Sequence, residues 1–186
     1  MRAPAAVPDA GAMTVTETLQ LPAPGAYRLD PDRTAVTFST RHLFGLAPVR
    51  GFFRLRSGHV DVADPLPSSA VRAVIEASSV DTRNPVRDTA VRSKQYLDAE
   101  HHPEFVFAST GIEPAGEGWS VAGVLTIRGH REPVTLAVTA CAPSAGGFLA
   151  VATARVDRYA FGVTTMRGMA ARYLNLRLEI RAVAVR

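Results

Sequence analysis

From Tyr27 onward the chain alternates apolar and polar residues with a period of two, the mark of strands that bury one face. Val36 and Phe38 lead the apolar side of Thr34 to His42, and Thr40 and His42 continue it. Val49, Gly51, Phe53 and Leu55 then alternate with Arg50, Phe52, Arg54 and Arg56. Val71, Ala73, Ile75 and Ala77 follow the same rule, and Phe105 and Phe107 form a short apolar face. Trp119, Val121, Gly123, Leu125 and Ile127 share a side, as do Val134, Leu136 and Val138. After Leu149, Val151 and Thr153, the series ends on Leu174, Leu176, Leu178 and Ile180. The pattern predicts about eight strands.

Turn residues punctuate these runs: Phe44 to Pro48, Ala63 to Pro67, Pro114 to Gly118, Arg128 to His130 and Ser144 to Gly147. Only Asn84 to about Leu97 reads as helical. Asn84 suits the N-cap, Pro85 the first helical position and Asp88 the first turn. Its apolar residues are sparse, which predicts one short helix, or two broken near Ser93. Regularly spaced strands of this kind form a sandwich or a closed barrel. The fold expected is all-β, and eight such antiparallel strands can close into a barrel. Such a barrel either fills its interior or holds one small ligand. The inward set Phe38, Phe53, Ile75, Phe105, Phe107, Leu125, Leu136 and Leu176 is wholly apolar, so any cavity is greasy.

Composition narrows the function classes. Hydrophobic residues make up 47% of the 186 and charged residues 20%, as in an ordinary globular protein. The net charge of +4 is nearly all arginine, with Lys94 the one lysine. The arginines are spread through the strands rather than gathered into a stripe with stacking aromatics, which argues against nucleic acid. No run approaches the ~20 apolar residues of a membrane span. Residues 1–23 are broken by Pro4, Pro8, Asp9 and Gly11, so they read as a disordered leader rather than a signal peptide. Met13 is a second candidate start, residues 24–186 form the barrel domain, and the compartment expected is the cytoplasm. Cys141 stands alone and reads as a small apolar filler near a strand end.

Four ordered blocks then carry a resemblance. They are Tyr27-Arg28-Leu29-Asp30 with Val36 to Gly45 and Gly51-Phe52-Phe53; Val80 to Asn84 with Arg87-Asp88, Val91 to Asp98 and His102 to Phe107; Gly123 to Gly129; and Arg158 to Val163. Together they resemble the YceI-like domain family over roughly Tyr27 to Ile180. The resemblance implies an extended, eight-stranded antiparallel lipocalin-like barrel with a short helical insert near one mouth, whose apolar interior accommodates an isoprenoid chain. Some members of that family are periplasmic and others lack a signal peptide. Two positions depart from the usual pattern: Ala90-Val91 replaces a His-Leu pair, and Arg172 stands where an acidic residue often precedes the last strand.

The function expected is non-catalytic carriage or sequestration of a polyisoprenoid or isoprenoid quinone, without cofactor or metal and compatible with a homodimer. Cavity lining falls to Phe38, His42, Phe53, Ile75, Phe105, Phe107, Leu125, Leu136 and Leu176. His42 continues the inward face of its strand, where it either bonds a carbonyl or meets a lipid's polar end. Arg92 and Tyr96, four apart on one helical face, are headgroup candidates, because a forked guanidinium suits a phosphate. The alternative for Arg92 is an ordinary surface pair with Asp88. His59, His101, His102 and His130 read as loop or surface residues, with no metal-ligand spacing. A stress-related interaction barrel with a filled core and no ligand is the second reading, and a small-molecule enzyme using His42 and Arg92 the third. Nucleophile elbows, P-loops and dinucleotide fingerprints are absent from the sequence.

Overall fold

A computed structural model describes residues 19–42 and 47–185 of the chain. The alternating runs build nine strands: β1 (Gly25–Leu29), β2 (Ala35–His42), β3 (Ala47–Val62), β4 (Ala70–Glu76), β5 (Glu104–Ala115), β6 (Gly118–Ile127), β7 (His130–Ser144), β8 (Gly147–Asp157) and β9 (Tyr173–Ala184). Every pairing among them is antiparallel. The sheet runs β3-β2-β9-β8-β7-β6-β5-β4 and closes through β3–β4. β1 and β2 both lie between β3 and β9, one after the other along a single slot. The wall is therefore an eight-stranded antiparallel barrel whose first stave is interrupted at Asp30–Thr34.

Three irregularities bend the wall. The register shifts between Leu55 and Ser57, between Ser109 and Gly111, and between Val138 and Ala140. Each extra residue reverses which positions face inward beyond it. Phe53 and Leu55 point in before the first bulge, and Val60 and Val62 after it. In β7 the same flip turns Cys141 inward, opposite Ala150. Cys141 is thus a small core residue at one end of the barrel, as expected, and burial pushes its thiol up to about 11.

The two ends differ in construction. At one, the β5–β6 and β7–β8 connections are tight two-residue turns, and Tyr27, Leu29, Leu55, Phe148 and Ala182 pack into a buried plug. At the other lie the two long connections, 77–103 and 158–172. The plug also reaches back to Leu19, which bridges Cys141 while Gln20 donates its N–H to the Cys141 carbonyl at 2.8 Å. The barrel unit accordingly extends to Leu19, several residues ahead of the boundary expected at Pro24. Residues 1–18 of the expected leader lie outside the described residues.

Helix α1 (Pro85–Arg92) starts as its sequence requires, with the Asn84 side chain accepting from the Arg87 N–H at 3.0 Å. It stops at Ser93, whose N–H and hydroxyl both turn back to the Ala90 carbonyl. Because the helix ends there, Arg92 and Tyr96 do not share a helical face, which corrects the expected spacing.

Candidate functional site

The candidate site is the lumen, and alternation assigns its walls. Val36, Phe38, Phe53, Leu55, Ile75, Phe105, Phe107, Leu125, Leu136 and Leu176 all fall on the inward phase of paired strands. Phe38, Phe53 and Phe105 form a chain of rings, with centroids 5.4 Å apart at each step. All eight apolar lining residues expected from sequence therefore stand on one continuous inner surface. His42 ends β2, and its side chain lies outside the described residues.

Two glycines shape that surface. A Cβ on Gly51 would stand 2.6 Å from the Phe38 ring, and one on Gly123 would overlap the Phe107 ring. Each ring thus lies down over a glycine of the neighbouring strand instead of projecting into the lumen. Burial then separates two parts of the interior. The plug residues are sealed, whereas Val71, Trp119, Leu125, Leu136 and Val138 on β4, β6 and β7 are only half-buried despite facing inward. In a closed barrel an inward side chain is reached by solvent only through the lumen or its ends, so this wall is open to solvent by one of those routes. Trp119, Val121 and Val138 share the alternating phase of Leu125 and Leu136, so the pattern carried the signal for them.

The mouth is capped from the long β8–β9 connection. Phe161, 2% exposed, drops against Val134, Val156, Leu136 and Leu176. No periodicity marks a loop residue, so sequence reasoning missed it. Arg158 holds this loop: its Nε donates to Ala171 O at 2.8 Å, Nη1 to Val163 O and Thr165 O at 2.6 and 2.9 Å, and Nη2 to Ala170 O at 3.0 Å. Burial lowers its guanidinium pKa from the usual value. Gly162, at φ 72°, lets the loop pass His130, whose Nε2 would lie 2.8 Å from any Cβ there. Thr165 Oγ1 donates to Gln95 O at 2.5 Å and ties the loop to the 77–103 connection.

The headgroup candidates sit as follows. Arg92 Nε donates to Ser78 O at 2.6 Å and Nη2 to Val80 O at 2.5 Å. It does not pair with Asp88, the alternative weighed from spacing. Asp88 is buried and instead accepts from the Thr82 N–H and hydroxyl, and Arg87 donates to the same threonine's hydroxyl and carbonyl. The helix face turned to residues 78–82 is therefore polar, and Val86 is left 82% exposed. Tyr96 is half-buried and close enough to Arg158 to interact with its charge. Arg172 binds Asp157 Oδ2 through Nε and Nη2 at 2.8 and 2.6 Å, which holds the Asp157 carboxyl below its ordinary value.

A concavity of about 950 Å³ lies on the outer face of the barrel, not in the lumen. It is lined by the outward residues Thr37, Arg50, Phe52, Thr153, Arg155 and Arg177, among others. It is open to solvent and ringed by the guanidinium groups of Arg50, Arg83, Arg155 and Arg177, which does not suit a long hydrocarbon. Among the described residues, no three His, Cys, Asp or Glu side chains stand together as metal ligands. No helix of the described residues is long and apolar enough to cross a membrane.

The model of the YceI-like domain matches residues 27–184. The chain belongs to the YceI-like domain family. It is 31% identical over 168 residues to a UPF0312 protein of Yersinia pestis (strain Pestoides F), covering 86% of this chain and 87% of that one. A UPF0312 protein of Serratia proteamaculans (strain 568) is also 31% identical, over 182 residues, 94% of this chain and 93% of the relative. Among solved structures, Burkholderia cenocepacia BcnA superposes with a TM-score of 0.74 at 24% identity, over 82% of this chain and 98% of its own. A polyisoprenoid binding domain from Saccharophagus degradans, implicated in plant cell wall breakdown, reaches a TM-score of 0.66 at 15% identity, over 86% and 98%. At these identities the two structures establish the shared YceI-like barrel.

Proposed function

We propose that the barrel carries or sequesters a long apolar lipid of the isoprenoid class, polyisoprenoid or isoprenoid quinone, and performs no catalysis. The observation that carries this reading is the set of inward residues Trp119, Leu125, Leu136 and Val138, each apolar and only half-buried. Each buried CH₂ contributes about 0.8 kcal/mol. A few isoprene units therefore exceed the ~8 kcal/mol of micromolar affinity after ordering costs. Membership of the YceI-like family and the barrel shared with a polyisoprenoid binding domain support the choice of ligand class. The described lining offers no nucleophile–base pair, so the site is suited to holding a chain rather than transforming it.

In this reading the lipid enters at the end bearing the long connections, past Phe161, with its tail along β4 to β7. Arg92 spends its Nε and Nη2 on the carbonyls of Ser78 and Val80, so we assign it to holding α1 against the wall rather than to the headgroup. Native mass spectrometry of protein purified without added lipid tests the proposal. An adduct that dissociates as an apolar molecule is expected. A clean mass for the bare chain, unchanged on incubation with a polyprenol, would favour a filled barrel without ligand.

A further inference from the structure

The tip of the β8–β9 connection exposes an apolar pair that the barrel itself does not use. Met166 and Met169 are each 38% exposed, while Phe161 and Val163 of the same loop are buried. Met166 stands at φ 56°, a left-handed conformation that costs a residue with a Cβ, and Met169 and Ala170 both donate back to its carbonyl. The four bonds from Arg158 fix the loop from beneath, so the methionines are presented on a braced turn.

Positive charge and aromatic rings gather directly behind this tip. The guanidinium of Arg167 lies 5.0 Å from the centre of the Tyr159 ring, and that of Arg155 lies 3.9 Å from the centre of the Tyr173 ring. Residues 155–173 hold four arginines (155, 158, 167 and 172) against the single carboxylate of Asp157. Arg172 neutralises that carboxylate and Arg158 is committed to carbonyls, which leaves Arg155 and Arg167 facing outward. Tyr173 is itself 39% exposed. Apolar tips with tyrosine at headgroup depth and arginine around them match an anionic lipid surface, where the tips enter the acyl boundary and the guanidinium groups meet phosphates.

We infer that the 158–172 loop docks the mouth of the barrel onto an anionic bilayer, with Met166 and Met169 as the inserted residues. This rests on the lipid-carriage reading for its purpose, since the loop stands at the end through which the lipid passes. Vesicle flotation tests it, with phosphatidylcholine alone and with equal parts phosphatidylcholine and phosphatidylglycerol. The full chain should float with the anionic vesicles and not the neutral ones, and added salt should release it. Met166→Ser with Met169→Ser should weaken binding on the order of tenfold, and Arg167→Ala on the order of fivefold, with the melting temperature of each unchanged.

No flotation with either vesicle, or binding that ignores both variants, would overturn the inference. So would a doubled mass in solution that the methionine variant returns to that of one chain, because the tip would then cover a second copy. The vesicles contain no isoprenoid, and native mass spectrometry of the same preparation reads the lumen separately. Bound lipid without flotation overturns docking alone, and flotation with an empty lumen overturns carriage alone.

Discussion

The two ends of the barrel are sealed by different chemistry. At the tight-turn end the seal is apolar packing: Tyr27 meets Phe148 edge-on at 5.0 Å, and Leu29, Leu55 and Ala182 close around them. At the mouth the apolar contact of Phe161 is joined by a second kind of seal, arginine on backbone carbonyl. Arg158 binds four carbonyls of one loop, Arg128 reaches Gly162 O and Lys94 O at 3.2 and 3.3 Å, and Arg92 holds residues 78 and 80. Buried apolar groups have nothing to exchange with, whereas a carbonyl released by an arginine is taken up by water, so each such bond contributes a net of only about 1.5–3 kcal/mol. An end made of such bonds opens locally at less cost than the fold as a whole. The difference supports the proposal that the mouth is the end that admits a ligand.

Removing packing from the sealed end should have the largest effect. Phe148→Ala should cost about 3–5 kcal/mol, read as a fall in the urea midpoint with an unchanged slope. Arg158→Met should cost less globally, about 1–3 kcal/mol. Its signature should be faster amide exchange confined to residues 158–172. If Arg158→Met unfolds the whole chain as readily as Phe148→Ala, the two ends are energetically alike and the argument for a separable mouth is broken.

The lumen between the ends can be altered without touching either seal. Gly123→Ala places a methyl where the Phe107 ring now lies and 2.6 Å from the Ala108 carbonyl oxygen, so the ring must swing off the wall into the interior and the β5 backbone must give way locally. Overpacking of this sort costs about 1–3 kcal/mol. If the lumen is the ligand site, the variant should also lose co-purifying lipid in native mass spectra, and by a larger factor than its stability loss would suggest. Equal lipid content in variant and wild type would move the ligand away from Phe107.

How much of this was legible in the sequence follows from which forces leave a period. Strict alternation marked Phe38, Phe53, Phe105, Leu125 and Leu136 correctly, because one wet and one dry face impose a period of two. It could not assign Cys141 to a face, because a bulge at Val138/Ala140 flips the phase without any residue that announces it. Phe161 was invisible for a related reason: a plug reaching inward from a loop obeys no period. The arginine staples were legible only as residues. Their partners are carbonyls, which every residue has, so spacing suggested Asp88 for Arg92 while the fold supplied Ser78 and Val80. The interrupted first stave also lay beyond pattern reading, since β1 and β2 share one slot only by virtue of β3 and β9 on either side.

The smallest effect expected is at the strap 93–103, which joins the mouth to the wall. His101 Nδ1 lies 2.8 Å from Asp98 Oδ1. The hydrogen bond and charge of Asp98 raise the His101 pKa, and those of His101 lower that of Asp98. A raised histidine value means stability that is fully present below the unfolded pKa of about 6.5 and is lost as pH rises through the folded value. A depressed carboxylate value means stability present above the unfolded pKa and lost as pH falls through the folded one. The pair therefore supports the strap in the window between the two folded values, in mildly acidic solution, and releases it on either side. His101 is largely solvent-exposed, so the contribution to global stability should be barely measurable. The titration itself is the readout: the His101 ring proton should move with a pKa above the ordinary value in the wild type and return to it in Asp98→Asn. Asparagine tolerates the left-handed backbone at that position, φ 48°, so the substitution tests charge without disturbing the turn. Protection of the strap amides, relative to their intrinsic exchange at each pH, should fall above the folded His101 pKa while that of the β8–β9 wall stays unchanged. If the whole barrel responds instead, the mouth and the wall do not open independently, and the distinction between the two ends fails at its weakest bond.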